Sequence, residues 1–203
     1  MRRRDLIEAT LDAVADLGLA GATVREVAKR ASVTPGLIRR YFRSKNHLIE
    51  SAYATFINTM NDDVCGQVGS GPPAERMKRL VHTITTEPVA SSRNLAIWAA
   101  FIGVAPVDNT MAGIHRDGYR MMRLTLEEII RDAGQAHGLL LSDAMIKRHA
   151  IAANAVIDGI WLEVSLDQQA FQDLNIEALT LESIRSILRW PHPEGRRSAQ
   201  EFC

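Results

Sequence analysis

Three arginines stand close together in the short segment TPGLIRRYFRSK, at Arg39, Arg40 and Arg43. A guanidinium group can donate two parallel hydrogen bonds to the O6 and N7 atoms of guanine, the commonest specific contact in the DNA major groove. Gly36 precedes Arg39 and Arg40 by about one helical turn and would let the backbone approach a partner closely. The segment is therefore suited to reading base edges. The alternative is that its charges form only a solvated helix face.

Two short helices are predicted to position this segment. The first is capped by Thr23 and Glu26, which form a T-x-x-E capping box, and it ends at Ala31. The second has Thr34 as its N-cap and Pro35 at its first helical position, where the missing N–H costs nothing. Because only two residues separate the helices, the chain must turn sharply between them.

Apolar residues predict that these two helices pack face to face. Val27 and Ala31 on the first helix are placed to meet Ile38 and Phe42 on the second, which makes a helix-turn-helix unit. In such a unit the second helix lies in the DNA major groove. The arginines would then face outward, away from this small core.

Further DNA contacts are predicted around the second helix. Leu37 and Tyr41 lie at the margins of its outward face. Arg25, near the start of the preceding helix, and Lys45, at the start of the following one, are placed to meet phosphates. Residues 1–50 hold ten Lys/Arg against six Asp/Glu, a balance of +4 in a chain of zero net charge. The basic end is therefore the expected polyanion-binding end.

The rest of the chain predicts an all-α fold of about nine helices, because apolar residues recur at helical spacing and no convincing strand alternation appears. The first helix is predicted over residues 3–18, with Gly18 as its stop, and the fourth from the Ser44 cap to about Val64. The segment GQVGSGPP, residues 66–73, is predicted to be a connection. Later helices are predicted over residues 74–87, 91–104, 109–136, 142–167 and 175–189.

Composition argues against several other classes of protein. The chain has 203 residues with 46% hydrophobic content, enough to bury a substantial core. Cys65 and Cys203 give no disulfide framework, and the six histidines lack metal-ligand spacing, so no metal or cofactor is expected. No signal-peptide pattern and no apolar run long enough to span a membrane are visible, which predicts a cytoplasmic protein.

The stretch TVREVAKRASVTPGLIRRYFRSKNHLIES, with LIEATLDAVADLGLAGA before it, resembles the DNA-binding domain of the TetR family of bacterial transcription regulators. The YF-x-SK-x-x-L ending makes this resemblance specific, although Ser32 stands where many relatives have glycine. The resemblance implies a homodimer in which the fourth helix is a hinge. By motif position it places DNA contacts on Arg25, Thr34, Pro35, Gly36, Leu37, Arg39, Tyr41 and Lys45.

Two domains and a tail follow from this resemblance and from the polar C-terminal composition. A helix-turn-helix DNA-binding domain is expected over residues 1–46, and a ligand-binding and dimerisation domain over residues 47–190. Residues 191–203 are polar and predicted to form a disordered tail. Ala152, Ala155 and Gly159 are small residues that suit close packing between helices, which favours a dimer contact on their face.

The C-terminal region is similar to the choline-sensing BetI branch of the family, on VIDGIWLEVSL (residues 156–166) and the pair Trp98 and Phe101. Quaternary ammonium ions are held by aromatic faces with a carboxylate nearby. The candidates are Trp98, Phe101, Tyr119 and Trp161 for the aromatic cage, and Asp158 or Glu163 for the carboxylate. The alternative is that both tryptophans are core residues and that Asp158 faces solvent, a partner subunit or a basic residue.

The function expected from these patterns is that of a repressor released from a near-palindromic operator by a small molecule, choline or another quaternary amine. One alternative is a regulator of an efflux or catabolic operon that senses a hydrophobic ligand, and another is a non-catalytic helical adaptor. An enzyme is not expected. HRDG at residues 115–118 lacks the other kinase motifs, no G-x-S-x-G occurs, and Cys65 has no nucleophile signature.

Overall fold

The computed structural model describes residues 3–188. Within that range the chain forms nine α-helices and one short 3-10 helix, and no strand is present among these residues. The helices are α1 Arg3–Gly21, α2 Val24–Arg30, α3 Pro35–Tyr41, α4 Lys45–Val68, α5 Pro73–Thr85, α6 Ser92–Ile102, α7 Asn109–Ala136, α8 Asp143–Leu166 and α9 Ile176–Leu188, with the 3-10 helix Gln168–Phe171 before α9. The predicted all-α fold of about nine helices is confirmed. The predicted tail, residues 191–203, lies outside the described residues.

Gly18 interrupts α1 as predicted, because its φ of 67° and ψ of 177° are not helical, and a separate short turn follows to Gly21. The predicted end of the fourth helix was wrong. Helix α4 continues past Val64 to Val68, so Gly66 lies inside the helix instead of in the connection. The extension has a packing reason, because Val64 and Val68 are one turn apart and both are buried.

The long helices surround one continuous core. Helix α4 packs on α1, α5 and α7, while α8 packs on α6, α7 and α9. Helix α1 also packs along α6, so the N-terminal helices are joined to the C-terminal bundle through both α1 and α4. None of the helices in residues 3–188 is long and apolar enough to cross a membrane.

Ion pairs fasten several of these helix contacts. Arg76 on α5 is 7% exposed and reaches α7, where its guanidinium lies 2.6 Å from Asp132 and 2.8 Å from Glu128. Arg93 on α6 reaches α1, with nitrogen–oxygen distances of 2.7 Å to Asp12 and 3.1 Å to Glu8. The first set joins two helices of the bundle, and the second ties the bundle to α1.

Candidate functional site

Helices α2 and α3 form the helix-turn-helix unit. The Glu26 amide donates to Thr23 Oγ1 at 3.2 Å, so Thr23 caps α2 as the sequence predicts. Val27 and Ala28 on α2 and Ile38 on α3 are buried against the core of α1 and α4. The short connection therefore holds α3 at a fixed angle to α2.

Ser32 makes the turn between the two helices. Its φ is 55°, in the left-handed region that non-glycine residues rarely adopt. The turn is closed by backbone hydrogen bonds from Ser32 to Lys29 at 3.1 Å and from Val33 to Ala28 at 2.9 Å. Glycine would adopt this conformation without the steric cost that a side chain adds.

The outer surface of this unit carries the predicted DNA-binding residues. Leu37 is half-buried at the edge, consistent with its predicted marginal position. The exposed residues are Arg25, Thr34, Pro35, Gly36, Arg39, Arg40 and Tyr41. Their exposure leaves the guanidinium and backbone groups of α3 available to a large external partner.

Other cations near α3 are engaged within the protein. Arg30 lies 2.6 Å from Asp16 and 2.8 Å from Glu26, and the hydrogen bonds to these carboxylates raise its pKa. Arg3 donates to Ser51 Oγ at 3.0 Å and lies 5.1 Å from the centre of the Phe42 ring. These two arginines hold the domain together, in contrast to the exposed arginines of α3.

Lys45 has a different setting from the one expected. Its side chain is half-buried, and Nζ donates to the Leu19 carbonyl oxygen at 3.3 Å. The Ser44 hydroxyl caps the same helix start by accepting from the His47 amide at 3.0 Å. Lys45 thereby joins the beginning of α4 to the end of α1.

A cavity lies among the helices of the C-terminal bundle. It offers about 60 Å³ to the centre of a water-sized sphere, where one water needs only roughly 10–15 Å³ by the same measure. Its walls come from α4, α5, α6, α7 and α8. The lining residues are Phe56, Ile57, Met60, Asn61, Val64, Ile84, Trp98, Tyr119, Met122, Asn154, Ile157, Asp158 and Trp161. The cavity is thus mostly apolar and aromatic, with three amide or carboxylate side chains.

Four of the five predicted ligand-binding residues line this cavity: Trp98, Tyr119, Asp158 and Trp161. Phe101 is not brought to it. Its ring is fully buried and stacks on Tyr53, with ring centres 4.3 Å apart. The alternative carboxylate, Glu163, is exposed on α8 and does not line the cavity.

A hydrogen-bonded chain crosses one wall of the cavity. Trp98 Nε1 donates to the Tyr119 hydroxyl oxygen at 2.9 Å, and that hydroxyl donates to Asp158 Oδ1 at 2.9 Å. Asn154 Nδ2 donates to the other carboxylate oxygen, Oδ2, at 2.7 Å. Trp161 Nε1 donates to the Ile84 carbonyl oxygen at 2.9 Å. Both indole N–H groups are thus satisfied by the protein, which fixes the orientation of the rings.

Asp158 is the only charged residue among the lining residues of the described chain. Burial raises its pKa from 3.8 to about 6, against the opposing effects of the Tyr119 hydrogen bond and the positive charge of Arg123. Burial and the Asp158 charge also raise the pKa of Tyr119, so its hydroxyl stays protonated and remains a donor. Asp158 therefore lies at the cavity wall, held by two neutral donors, with the positive charge of Arg123 also acting on it, which agrees with the alternative of a basic residue nearby.

The two tryptophans serve as core and cavity wall at once. Trp98 and Trp161 are 6% and 7% exposed, and their ring centres are 5.9 Å apart at an interplanar angle of 78°. Edge-to-face contacts of this kind add to the stability gained by burying the rings. The core interpretation and the cage interpretation are therefore compatible.

Sequence reasoning missed several lining residues, of which Asn154 has the clearest role. Asn154, Asp158 and Trp161 are spaced at i, i+4 and i+7 on α8, so they share one helix face. This spacing was a usable signal, because Asp158 and Trp161 were already candidates. Met60 and Met122 had no comparable signal, since an apolar residue at helical spacing is usually a core residue.

Comparisons with known proteins match both halves of the chain. A family model described as "Bacterial regulatory proteins, tetR family" matches residues 6–52, and one described as "BetI-type transcriptional repressor, C-terminal" matches residues 73–189. The HTH-type transcriptional regulator BetI of Klebsiella pneumoniae (strain 342) is 27% identical over 197 residues, covering 95% of this chain and 96% of the relative. That of Serratia proteamaculans (strain 568) is 30% identical over 199 residues, with coverage of 95% and 96%.

Solved structures share the whole fold. A transcriptional regulator from Pseudomonas aeruginosa PAO1 superposes with a TM-score of 0.81 at 24% identity, covering 93% of this chain and 90% of that chain. A chain from Saccharomonospora viridis, crystallised in complex with choline, has a TM-score of 0.73 at 18% identity, with coverage of 92% and 95%. At these identities the structures establish the fold alone.

The helix-turn-helix unit, the all-helical bundle and the matched family models together define a DNA-binding transcriptional regulator. The chain belongs to the TetR family of bacterial regulators and has a BetI-type C-terminal domain. The predicted family and branch are both confirmed. The individual DNA-contacting and ligand-contacting residues stay predictions.

Proposed function

We propose that this regulator is a repressor released from a near-palindromic operator by a small quaternary ammonium compound such as choline. The observation that carries the ligand class is the cavity in which Asp158 stands beside three aromatic side chains, Trp98, Tyr119 and Trp161. Aromatic faces attract a cation that cannot donate hydrogen bonds, and a carboxylate supplies the balancing charge. The choline bound to the Saccharomonospora viridis protein of the same fold supports this class.

The carboxylate geometry also favours a quaternary over a primary amine. Both oxygens of Asp158 already accept a hydrogen bond, one from Tyr119 and one from Asn154. The carboxylate therefore keeps its charge for a ligand while part of its hydrogen-bonding capacity is used by the protein. A trimethylammonium group binds through its charge and the aromatic faces and donates no hydrogen bonds. The hydrogen bonds that Asp158 already accepts therefore do not weaken its binding.

The proposed domains are residues 1–46 for DNA binding and residues 47–190 for ligand binding and dimerisation. The exposed arginines of α3 would read base edges, with Arg25 and Lys45 on phosphates. A protein that binds chromosomal DNA in a bacterium works in the cytoplasm, and we assign it no catalytic activity. Ligand binding would act only through its different affinity for the DNA-binding and released arrangements.

The proposed dimer uses α8 and α9. Both helices expose apolar side chains along their length, and the small residues Ala155 and Gly159 lie exposed between them on α8. The exposed apolar residues are Ile151, Leu162 and Leu166 on α8, and Leu179 and Ile187 on α9. A twofold pairing of this face would present two copies of α3 to major grooves about 34–36 Å apart.

The first test is a fluorescence-anisotropy titration of the wild-type protein with a duplex from its own promoter and with a scrambled duplex. We expect tight binding of the promoter duplex, much weaker binding of the scrambled one, and release of the promoter duplex on addition of choline chloride. Equal binding of both duplexes would contradict the regulator's base-reading role. Specific binding without any response to choline would favour a hydrophobic effector.

The second test measures choline binding by calorimetry in Asp158→Asn. The asparagine keeps the shape of the side chain and removes its charge, so we expect choline binding to weaken by about 1–4 kcal/mol, the attraction of two unit charges about 4 Å apart in surroundings between water and a partly buried site. Glu163→Gln is the matched control, because it removes an exposed carboxylate from the same helix. Equal losses in both variants would contradict a direct role for Asp158.

A further inference from the structure

Arg123 on α7 has a buried nitrogen atom that makes no hydrogen bond. Its Nε atom is shielded from water and meets no acceptor among the described residues. Arg76 Nε is in the same situation, but the other nitrogens of that guanidinium pair with Asp132 and Glu128. Arg123 has no such carboxylate within residues 3–188. A buried cationic donor without a partner is costly, so Arg123 is placed to accept an anionic group from outside the chain.

The Arg123 side chain lies at the edge of the cavity. Tyr119, a lining residue, precedes it by one helical turn, and the guanidinium carbon of Arg123 is 6.0 Å from the centre of the Tyr119 ring. Met122, its neighbour in the chain, also lines the cavity. Arg123 is half-buried, whereas Arg120 on the same helix is exposed. A ligand held among the aromatic rings would therefore have this guanidinium beside it.

Arg123 and Asp158 influence each other without forming an ion pair. Burial raises the pKa of Asp158, and the positive charge of Arg123 opposes that rise. Burial lowers the pKa of His115, and the same charge adds to that lowering. Both oxygens of Asp158 nevertheless accept their hydrogen bonds from Tyr119 and Asn154. Two opposite charges thus stand near one cavity, and the hydrogen bonds of Arg123 are left for a ligand.

This pair of charges suits a ligand that carries one charge of each sign. A simple cation such as choline would be attracted by Asp158 and repelled by Arg123. A quaternary amine with a carboxylate on its tail would use both charges, and the guanidinium fork matches a carboxylate with two parallel hydrogen bonds. A phosphate on the tail would carry about −1.5 to −2 charges at pH 7, which is more than the single Arg123 charge balances.

We propose that Arg123 is a specificity-determining residue that binds the carboxylate of a zwitterionic quaternary amine, while the ammonium group lies among Trp98, Tyr119 and Trp161 beside Asp158. This inference rests on the proposed function, because it assumes an effector with a quaternary ammonium group. It goes further by assigning the second end of the effector. The preferred effector is then a quaternary amino acid and not an amino alcohol.

Trimethylglycine and choline are the probes that separate these two classes. Both have a trimethylammonium group on a two-carbon tail, which ends in a carboxylate in the first and in a hydroxyl group in the second. Calorimetry at pH 8 keeps Asp158 ionised, because its pKa is raised only to about 6. We expect wild-type protein to bind trimethylglycine more tightly than choline. Equal binding, or tighter binding of choline, would overturn the inference and leave the proposed function intact. A protein that binds neither probe would contradict the proposed function itself.

Arg123→Met tests whether the guanidinium causes the preference. Methionine keeps an unbranched side chain and removes the charge and the donors. We expect the ratio of trimethylglycine affinity to choline affinity to fall by roughly 10–150-fold, the equivalent of one hydrogen bond between charged groups. Arg120→Met is the matched control, because it removes an exposed arginine from the same helix and should keep the wild-type ratio. An unchanged ratio in Arg123→Met, including equal losses for both probes, would overturn the inference.

Arg123→Lys separates charge from shape, and it also serves if Arg123→Met does not fold, as judged by circular dichroism. Lysine keeps the positive charge and loses the planar fork, so we expect an affinity ratio below that of wild type and above one. A lysine variant that prefers choline would overturn the inference. Phosphocholine in the same titrations distinguishes the anion, and wild-type protein that binds it more tightly than trimethylglycine would overturn the assignment of a carboxylate.

Discussion

Asp158 supplies the charged group among the described lining residues of the cavity. A carboxylate inside an apolar cavity is costly when ionised, and this cost appears as a pKa raised to about 6 by burial. The hydrogen bonds from Tyr119 and Asn154 offset part of the cost. The pH dependence of folding stability due to Asp158 is therefore opposite to that of a salt-bridged aspartate. Its contribution to the free energy of unfolding is fully present below the unfolded pKa of 3.8, where the carboxyl is protonated, and is lost as the pH rises through about 6.

The same titration predicts a pH dependence for cation binding. About nine-tenths of the Asp158 carboxyl is ionised at pH 7 and about one-tenth at pH 5, so choline affinity should fall about tenfold between these values. Isothermal calorimetry at several pH values measures this fall directly. The nearby His115 has its pKa lowered by burial and by Arg123, so Asp158→Asn is needed as the reference. A fall of equal size in that variant would place the titration elsewhere.

Helix α3 is anchored on its inner side and exposed on its outer side. Pro35 starts it, Ile38 and Phe42 hold it against the core, and the left-handed turn at Ser32 sets its angle. Arg3 and Arg30 are bound to neighbouring groups and strengthen the support. Arg3 and Arg30 thus contact groups within the protein, whereas the arginines of α3 lie exposed on its outer side.

Replacement of Arg39 on α3 by alanine should reduce sequence discrimination. A bidentate arginine–guanine pair contributes about 1–3 kcal/mol of discrimination, so the promoter duplex should lose affinity by that amount relative to a scrambled duplex. Lys78→Ala, which removes an exposed cation from α5, is the control for a general loss of charge. Equal weakening of both duplexes by Arg39→Ala would make Arg39 a phosphate contact.

At the scale of the whole molecule, the proposed dimer would present two copies of α3 to one DNA site. The exposed apolar face of α8 and α9 is suited to a twofold contact, whereas α4 and α7 face the cavity within one chain. Helix α8 therefore carries cavity residues on one side and the face of the proposed dimer on the other.

Ile151→Glu should break the proposed dimer by placing a charge on its apolar face. We expect the mass measured by light scattering to change from twice the chain mass to the chain mass, with a loss of promoter affinity, because a monomer offers only one reading helix. Val107→Glu is the control, since Val107 is 86% exposed on the connection between α6 and α7. A dimeric Ile151→Glu protein would move the interface to another face.

The sequence predicted most of the local structure. Helix α7 has the predicted bounds, Asn109–Ala136, and Thr23 and Ser44 cap α2 and α4 as expected. Capping, proline position and helical periodicity depend on neighbours within a few residues, so they can be read directly from the chain. The helix-turn-helix unit was predicted in this way, whereas its family was predicted from the resemblance of its sequence. The end of α4 was missed because burial of Val68 outweighs the weak helix propensity of Gly66.

Only the tertiary structure decided which candidates share a cavity. It placed Tyr119 beside Asp158, moved Phe101 away to stack on Tyr53, and brought Gly118 against Ile57. The contact of Trp161 with Ile84 joins residues 77 positions apart. No local pattern specifies such a pairing, because it depends on how the faces of separate helices meet after all of them have packed.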